Sequence, residues 1–315
     1  MEQAIELERL PLLVRLDDMQ PEAFISWYNE RKDLLEAQLL KKGAIKFQGV
    51  MIASVDDFQQ IVNGIADNFL NYVDGNSPRI KLSGNVYTST EYDKTQRITM
   101  HNELSYSAHW PGKLFFSCLL PAGSGGETLL ADSRTILEIM HPSIISEIKA
   151  KGITYIRNLH GGTGMGPSWQ DTFETDDKKQ VEAFCKENNT AFEWRERDLL
   201  RLKQFCKGII THHFTGEALW FNQVDQFHPS HLGSELYEIL RSIYEDPQDF
   251  PLNVQFGDGT PIGDDFVREV METIDQVVVA PSWGRNEFLV VDNELVCHGR
   301  NPYTGERKVV VSMSK

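Results

Sequence analysis

The chain of 315 residues, 41% hydrophobic and 24% charged, has the composition of a soluble globular protein long enough to bury a sizeable core, and no apolar run reaches the length of a membrane helix. A formal charge of −15 argues against a nucleic-acid partner, because phosphate binding needs a positive surface. The four cysteines (Cys118, Cys185, Cys206, Cys297) lack CxxC spacing, which argues against a zinc knuckle or redox pair and leaves free thiols in a reducing cytosol as the expectation.

At the N-terminus, MEQAIELERLPLLVRLDDM scatters acids among short apolar runs and lacks a basic n-region, so it does not read as a signal peptide, and a cytoplasmic protein is expected. Pro21 to Lys42 reads as one helix, with Pro21 suited to the first turn, a rough apolar stripe through Phe24, Ile25, Trp27, Leu34, Leu35 and Leu39, and Gly43 suited to the stop. AIKFQGV (44–50) reads as a strand. Ser54 with Asp57 forms a capping-box pattern for a second helix reaching about Phe69. Residues 1–80 are therefore a mixed α/β portion.

From residue 81 onward the pattern is mainly β with helical inserts. VYTST, ITMHNEL, KLFFSCLL, ETLLA, GITYIR, GIITHHF, EALWFNQ, DQVVVAP, EFLVVDN and RKVVVSM are short β-branched and aromatic runs separated by turn residues, as in a sandwich or barrel. Helices are expected near 133–151, 176–188, 234–244 and 264–275, at spacings too irregular for a βαβ array. The glycine-rich RNLHGGTGMGPSWQDTF (157–173) is too long for a tight turn and reads either as a lid, with Trp169 and Phe173 closing over a ligand, or as a surface insertion. One domain spanning 1–315 is the economical organisation.

The chemistry-bearing residues are His101, Glu103 and His298. On a strand, residues i and i+2 face the same way, so His101 and Glu103 can share a cavity while Asn102 turns away. His298 lies in LVCHGR, a second strand pattern that puts Val296 and Arg300 on its own face. Two imidazoles and one carboxylate on one face of a metal are the ligand set of mononuclear non-haem Fe(II) oxygenases, with the remaining positions open to cosubstrate and O2. An HxE pair alone is a weak signal, and the nine histidines include rivals. His212 and His213 diverge as adjacent strand residues and read as structural; His228 and His231 can share a helical face. On residues alone, a cupin-like divalent-metal hydrolase or isomerase and a non-catalytic β-sandwich binding protein stay open beside the oxygenase.

HNELSY, then PGKLFFSCLLPAGSGGETLLADSR, then DN-x4-HGRNPYTGERKVV, in that order, resembles the TauD/TfdA family of Fe(II)/2-oxoglutarate dioxygenases, closest to its SyrP-like and clavaminate-synthase-like branch. The resemblance runs from about residue 40 to the end. It implies a double-stranded β-helix (jelly-roll) core, Fe(II) held by His101, Glu103 and His298, and 2-oxoglutarate and O2 as cosubstrates. Thr128 of GGET and Arg307 of GER are the implied contacts to the far carboxylate of 2-oxoglutarate; Lys308 and Arg300 are the competing cations. Family halogenases lack the ligand carboxylate, so Glu103 implies hydroxylation or another oxidation rather than halogenation. The implied substrate is a small molecule, an amino acid or related polar metabolite, free or tethered to an aminoacyl carrier protein, in specialised metabolite biosynthesis. Carrier proteins are generally acidic, so the charge of −15 counts mildly against docking one. Asn222 and Gln223 are candidates for reading polar substrate groups. At GRNEFLVVDN the chain has Asn286–Glu287 where relatives often carry Gly-Asp, a difference expected to touch loop geometry more than chemistry.

Overall fold

The computed structural model describes residues 5–6, 10–75, 79–89 and 92–315. Its first helical segment is two helices, Pro21–Glu30 and Lys32–Lys42, broken at Arg31, whose φ of −115° is not helical. Leu34, on the expected apolar stripe, is 58% exposed, so the stripe is not continuous across the break. Gly43 ends the second helix at φ +73°, a left-handed conformation that glycine adopts without a Cβ penalty. Ala44–Val50 is a strand, as its sequence predicts. Ser54 and Asp57 make both bonds of a capping box, and the helix that follows, Val55–Ile65, ends before Phe69.

An eight-stranded sheet dominates, in the order Ile5–Glu6, Leu12–Met19, Ala44–Val50, Glu287–Asp292, Lys113–Leu120, Lys308–Ser314, Val86–Thr88 and Lys81–Ser83. Its central strands are buried on both faces, which is why they read as unbroken apolar runs rather than alternating ones. Alternation still sorts them. Phe115, Phe288 and Val310 enter a core shared with Phe24, Tyr28 and Phe58 of the N-terminal helices. Leu114, Phe116, Leu289, Val291, Val309 and Val311 enter the opposite core.

That second core also takes Leu129, Ala131, Val296 and Cys297 from a three-stranded sheet ordered Ile98–His101, Val296–Arg300, Thr128–Asp132. The two sheets meet where the Phe116 ring lies 5.4 Å from that of His298. A four-stranded sheet, Ala191–Arg195, Leu199–Cys206, Ile153–Leu159 and Leu252–Phe256, carries a third cluster. Trp169 and Phe173 belong to that cluster, 3% and 6% exposed against Leu159, Val181 and Leu200. They are core residues, not lid residues: residues 157–159 finish a strand, and Trp169–Phe173 is a short helix packed on it.

The helical inserts fall at Ser133–Ile139 with Pro142–Lys151, Lys178–Glu187, Ser234–Ile243 and Asp264–Asp275. DQVVVAP forms no strand beyond a single bridge from Val279 to Leu130. Among the described residues no helix is long and apolar enough to cross a membrane.

Candidate active site

His298 stands directly opposite His101 in the antiparallel pairing of their strands, and the two rings lie 4.3 Å apart. Gly299 makes that closeness sterically available: a Cβ there would meet the Ile98 carbonyl oxygen at 2.6 Å. Glu103 is not on the strand with His101. The strand ends at His101, and Glu103 occupies a turn that Leu104, at φ +57°, bends sharply away. The backbone of Glu103 is held by Asn293, whose Oδ1 accepts from its N–H at 2.7 Å while Nδ2 donates to its carbonyl at 3.0 Å. Asn102 faces away and is wholly buried, donating to the Asn293 carbonyl at 2.6 Å.

One ligand atom from each of His101, Glu103 and His298 lies within 4.8 Å of the others, and all three residues are buried. His101 Nδ1 has the Thr99 carbonyl at 2.9 Å and Gln226 Nε2 at 3.0 Å; a carbonyl only accepts, so a proton on Nδ1 is the one that satisfies it, and that tautomer leaves the Nε2 lone pair free. Gln226 Nε2 donates to the same carbonyl at 3.0 Å. His298 Nε2 points to Glu103 Oε2 at 3.7 Å. Burial holds the pKa of both imidazoles below the ordinary value, strongly so at His298, where His101 and Arg79 add to the effect. Two neutral imidazoles and one carboxylate fit a ferrous ion by donor type and by protonation state.

His101 and His298 line a cavity whose other wall includes Thr128 and Arg307. Thr128 Oγ1 accepts from Trp283 Nε1 at 2.8 Å, so its own hydroxyl hydrogen is left to donate. Arg307 is held by the Gly126 carbonyl at 2.8 Å and Ser89 Oγ at 3.1 Å. Burial first, and Arg300 second, lower its pKa to about 10, which leaves it charged at neutral pH. Of the two competing cations, Arg300 also lines the cavity and Lys308 does not. Lys308 is exposed, beside a register shift between Lys308 and Val309. Arg300 donates to the carbonyls of Tyr92, Asp93 and Gln96 and so clamps that loop.

Of the rival histidines, His212 and His213 meet Glu294 with one ligand atom each within 4.8 Å, though His213 is exposed where His101, Glu103 and His298 are all buried. His212 Nδ1 accepts from the Thr215 amide at 3.0 Å, which puts its proton on Nε2, facing Asp292 at 3.4 Å. His213 reaches Glu294 at 3.1 Å. His228 and His231 each donate to a backbone carbonyl, of Ile262 and His228 respectively. Asn222 and Gln223 are spent inside the protein, donating to the carbonyls of Gly208 and Asn102. Asn286 takes φ +59°, the conformation a glycine would supply, and Glu287 accepts from the Gly284 amide at 2.6 Å.

Sequence reasoning on ligands alone passed over Asn293, Gln226 and Arg79. Asn293 was within reach, as the second residue of the DN-x4-HGR motif. A lone arginine in a loop carried no signal, yet Arg79 Nη2 lies 2.5 Å from Glu103 Oε2.

The dapdiamide synthesis protein DdaC of Enterobacter agglomerans is 34% identical over 276 residues, covering 87% of this chain and 83% of that protein. A clavaminate synthase-like protein of Arabidopsis thaliana is 29% identical over 301 residues, covering 93% and 87%. Among solved structures, AAD-2 in complex with Mn(II) and N-oxalylglycine superposes with a TM-score of 0.56 at 14% identity, covering 99% of this chain and 96% of that one, and so shares the fold. The family described as taurine catabolism dioxygenase TauD, TfdA matches residues 7–313, and the chain belongs to this family of Fe(II)- and 2-oxoglutarate-dependent dioxygenases, in its clavaminate-synthase-like branch.

Proposed function

We propose that this dioxygenase hydroxylates an unactivated C–H bond of an amino acid or related polar metabolite, free or tethered to an aminoacyl carrier protein, in the biosynthesis of a specialised metabolite. Family membership sets aside the hydrolase and binding-protein readings. The biosynthetic assignment leans on the likeness to a dapdiamide synthesis protein. In this reading residues 1–315 form one catalytic domain, and the large and three-stranded sheets are the two walls of a jelly roll.

The observation that carries the proposal is one cavity lined by His101 and His298 of the His101–Glu103–His298 cluster and by Thr128 and Arg307. His101, Glu103 and His298 would hold the iron. Bound there, Fe(II) supplies O2 activation coupled to decarboxylation of 2-oxoglutarate to succinate and CO2. The Arg307 guanidinium and the Thr128 hydroxyl fix the far carboxylate of 2-oxoglutarate by charge-assisted hydrogen bonds, which aims its keto-acid end at the three ligands. Burial of the site keeps water from the oxidising centre.

A screen of succinate release over free amino acids and carrier-bound aminoacyl groups tests this. One or more compounds should stimulate release in an Fe(II)- and O2-dependent way, with product gaining one oxygen atom. Glu103→Ala should abolish both readouts while leaving the circular dichroism spectrum unchanged. Unaltered hydroxylation in that variant would remove the carboxylate from the site.

A further inference from the structure

We propose that Arg79 binds a free carboxylate on the substrate, so that this enzyme acts on a free acid and not on a carrier-tethered acyl group. The proposal rests on the preceding assignment of the metal and 2-oxoglutarate contacts and narrows its substrate class.

Arg79 lines the same cavity as His101, His298, Thr128 and Arg307. Its side chain is 3% exposed. The guanidinium lies over the Tyr72 ring, 4.3 Å from the ring centre, which fixes its plane. Only Nη2 is engaged, by Glu103 at 2.5 Å. Nε and Nη1 are buried without a hydrogen-bond partner among the described residues. Buried guanidinium donors left unpaired are costly; a carboxylate can take Nε–H or Nη1–H together with the second hydrogen of Nη2, as a bidentate pair on one edge of the group.

Charge counting leads to the same group. The two positive charges of a ferrous ion and the one of Arg307 are matched by Glu103 and the two carboxylates of 2-oxoglutarate. Arg300, which also lines the cavity, is directed onto the backbone carbonyls of Tyr92, Asp93 and Gln96. Arg157 is paired with Asp74. Arg79 thus adds a positive charge to the loaded cavity, and a substrate carboxylate is the group that pairs with it. A thioester-linked acyl group has surrendered its carboxyl to the carrier and offers no such charge.

The test uses the full chain loaded with Mn(II) and N-oxalylglycine, which binds without turnover. Thermal unfolding is followed with a panel of free amino acids, their amides and their N-acetylcysteamine thioesters, for wild type, Arg79→Gln and Arg79→Lys. In wild type at least one free acid should raise Tm while its amide and thioester do not. In Arg79→Gln the Kd of that acid should rise at least tenfold, with partial recovery in Arg79→Lys. Stabilisation by N-oxalylglycine should stay as in wild type, and the Mn(II) affinity, read by electron paramagnetic resonance, should shift by less than the tenfold lost for the acid, since Nη2 also contacts Glu103. The proposal is overturned if no free acid stabilises wild type, if thioesters do so as well, or if Arg79→Gln binds the acid normally. It is also overturned if Arg79→Gln loses N-oxalylglycine, which puts Arg79 on the cosubstrate, or loses Mn(II), which makes it a Glu103-positioning residue. Failure of N-oxalylglycine to stabilise wild type would instead sink the assignment beneath it.

Discussion

At the scale of single residues, the candidate ligands are held by backbone-directed hydrogen bonds more than by one another. His101 takes its tautomer from the Thr99 carbonyl, and Glu103 takes its position from Asn293. Groups that orient metal ligands typically account for about ten- to hundredfold in metal affinity. Asn293→Ala should therefore weaken metal binding by about that factor, measured by anaerobic Fe(II) titration, while Glu103 itself is intact. Metal affinity equal to wild type would show that the turn holds Glu103 without Asn293. His101, Glu103 and His298 were legible in the sequence only because motifs on either side linked them across the chain. The structure brings His101 and Glu103 together otherwise than the i, i+2 strand argument expects: His101 ends its strand, and a turn with a left-handed Leu104 delivers Glu103.

At the scale of elements, strands buried on both faces were the easiest to read, because Lys113–Leu120, Glu287–Asp292 and Lys308–Ser314 are dense in apolar residues. Leu199–Cys206 was missed because LLRLKQFC interleaves cations, and one of these, Arg201, is buried by pairing with Asp249 and Asn158. Trp169 and Phe173 read as a lid because glycines precede them, whereas the apolar face of the four-stranded sheet claims both. Register decides which cation enters the cavity. Arg307 faces the cavity, and Lys308, one residue on, faces solvent. Arg307→Lys keeps the charge but loses the planar fork, and should raise KM for 2-oxoglutarate tenfold or more. Lys308→Gln should leave that KM unchanged. The opposite pattern in steady-state kinetics would shift the register by one.

At the scale of the whole molecule, the large sheet separates two jobs. One face meets the N-terminal helices in a core centred on Phe24, Phe47, Phe58 and Phe288; the other faces the three-stranded sheet and the candidate metal site. Phe288→Ala, on the face away from the site, should cost about 3–5 kcal/mol of stability in denaturant titrations. Its kcat should change little at temperatures where the variant is folded; a collapse in kcat at full folding would mean that the two faces are coupled. The central claim is that His101, Glu103 and His298 grip one ferrous ion. Anaerobic Fe(II) titration of wild type, His101→Ala and His298→Ala tests it most directly: one ion per chain in wild type and loss of tight binding in both variants is the expected result. Retention of one tightly bound ion by either variant would contradict it.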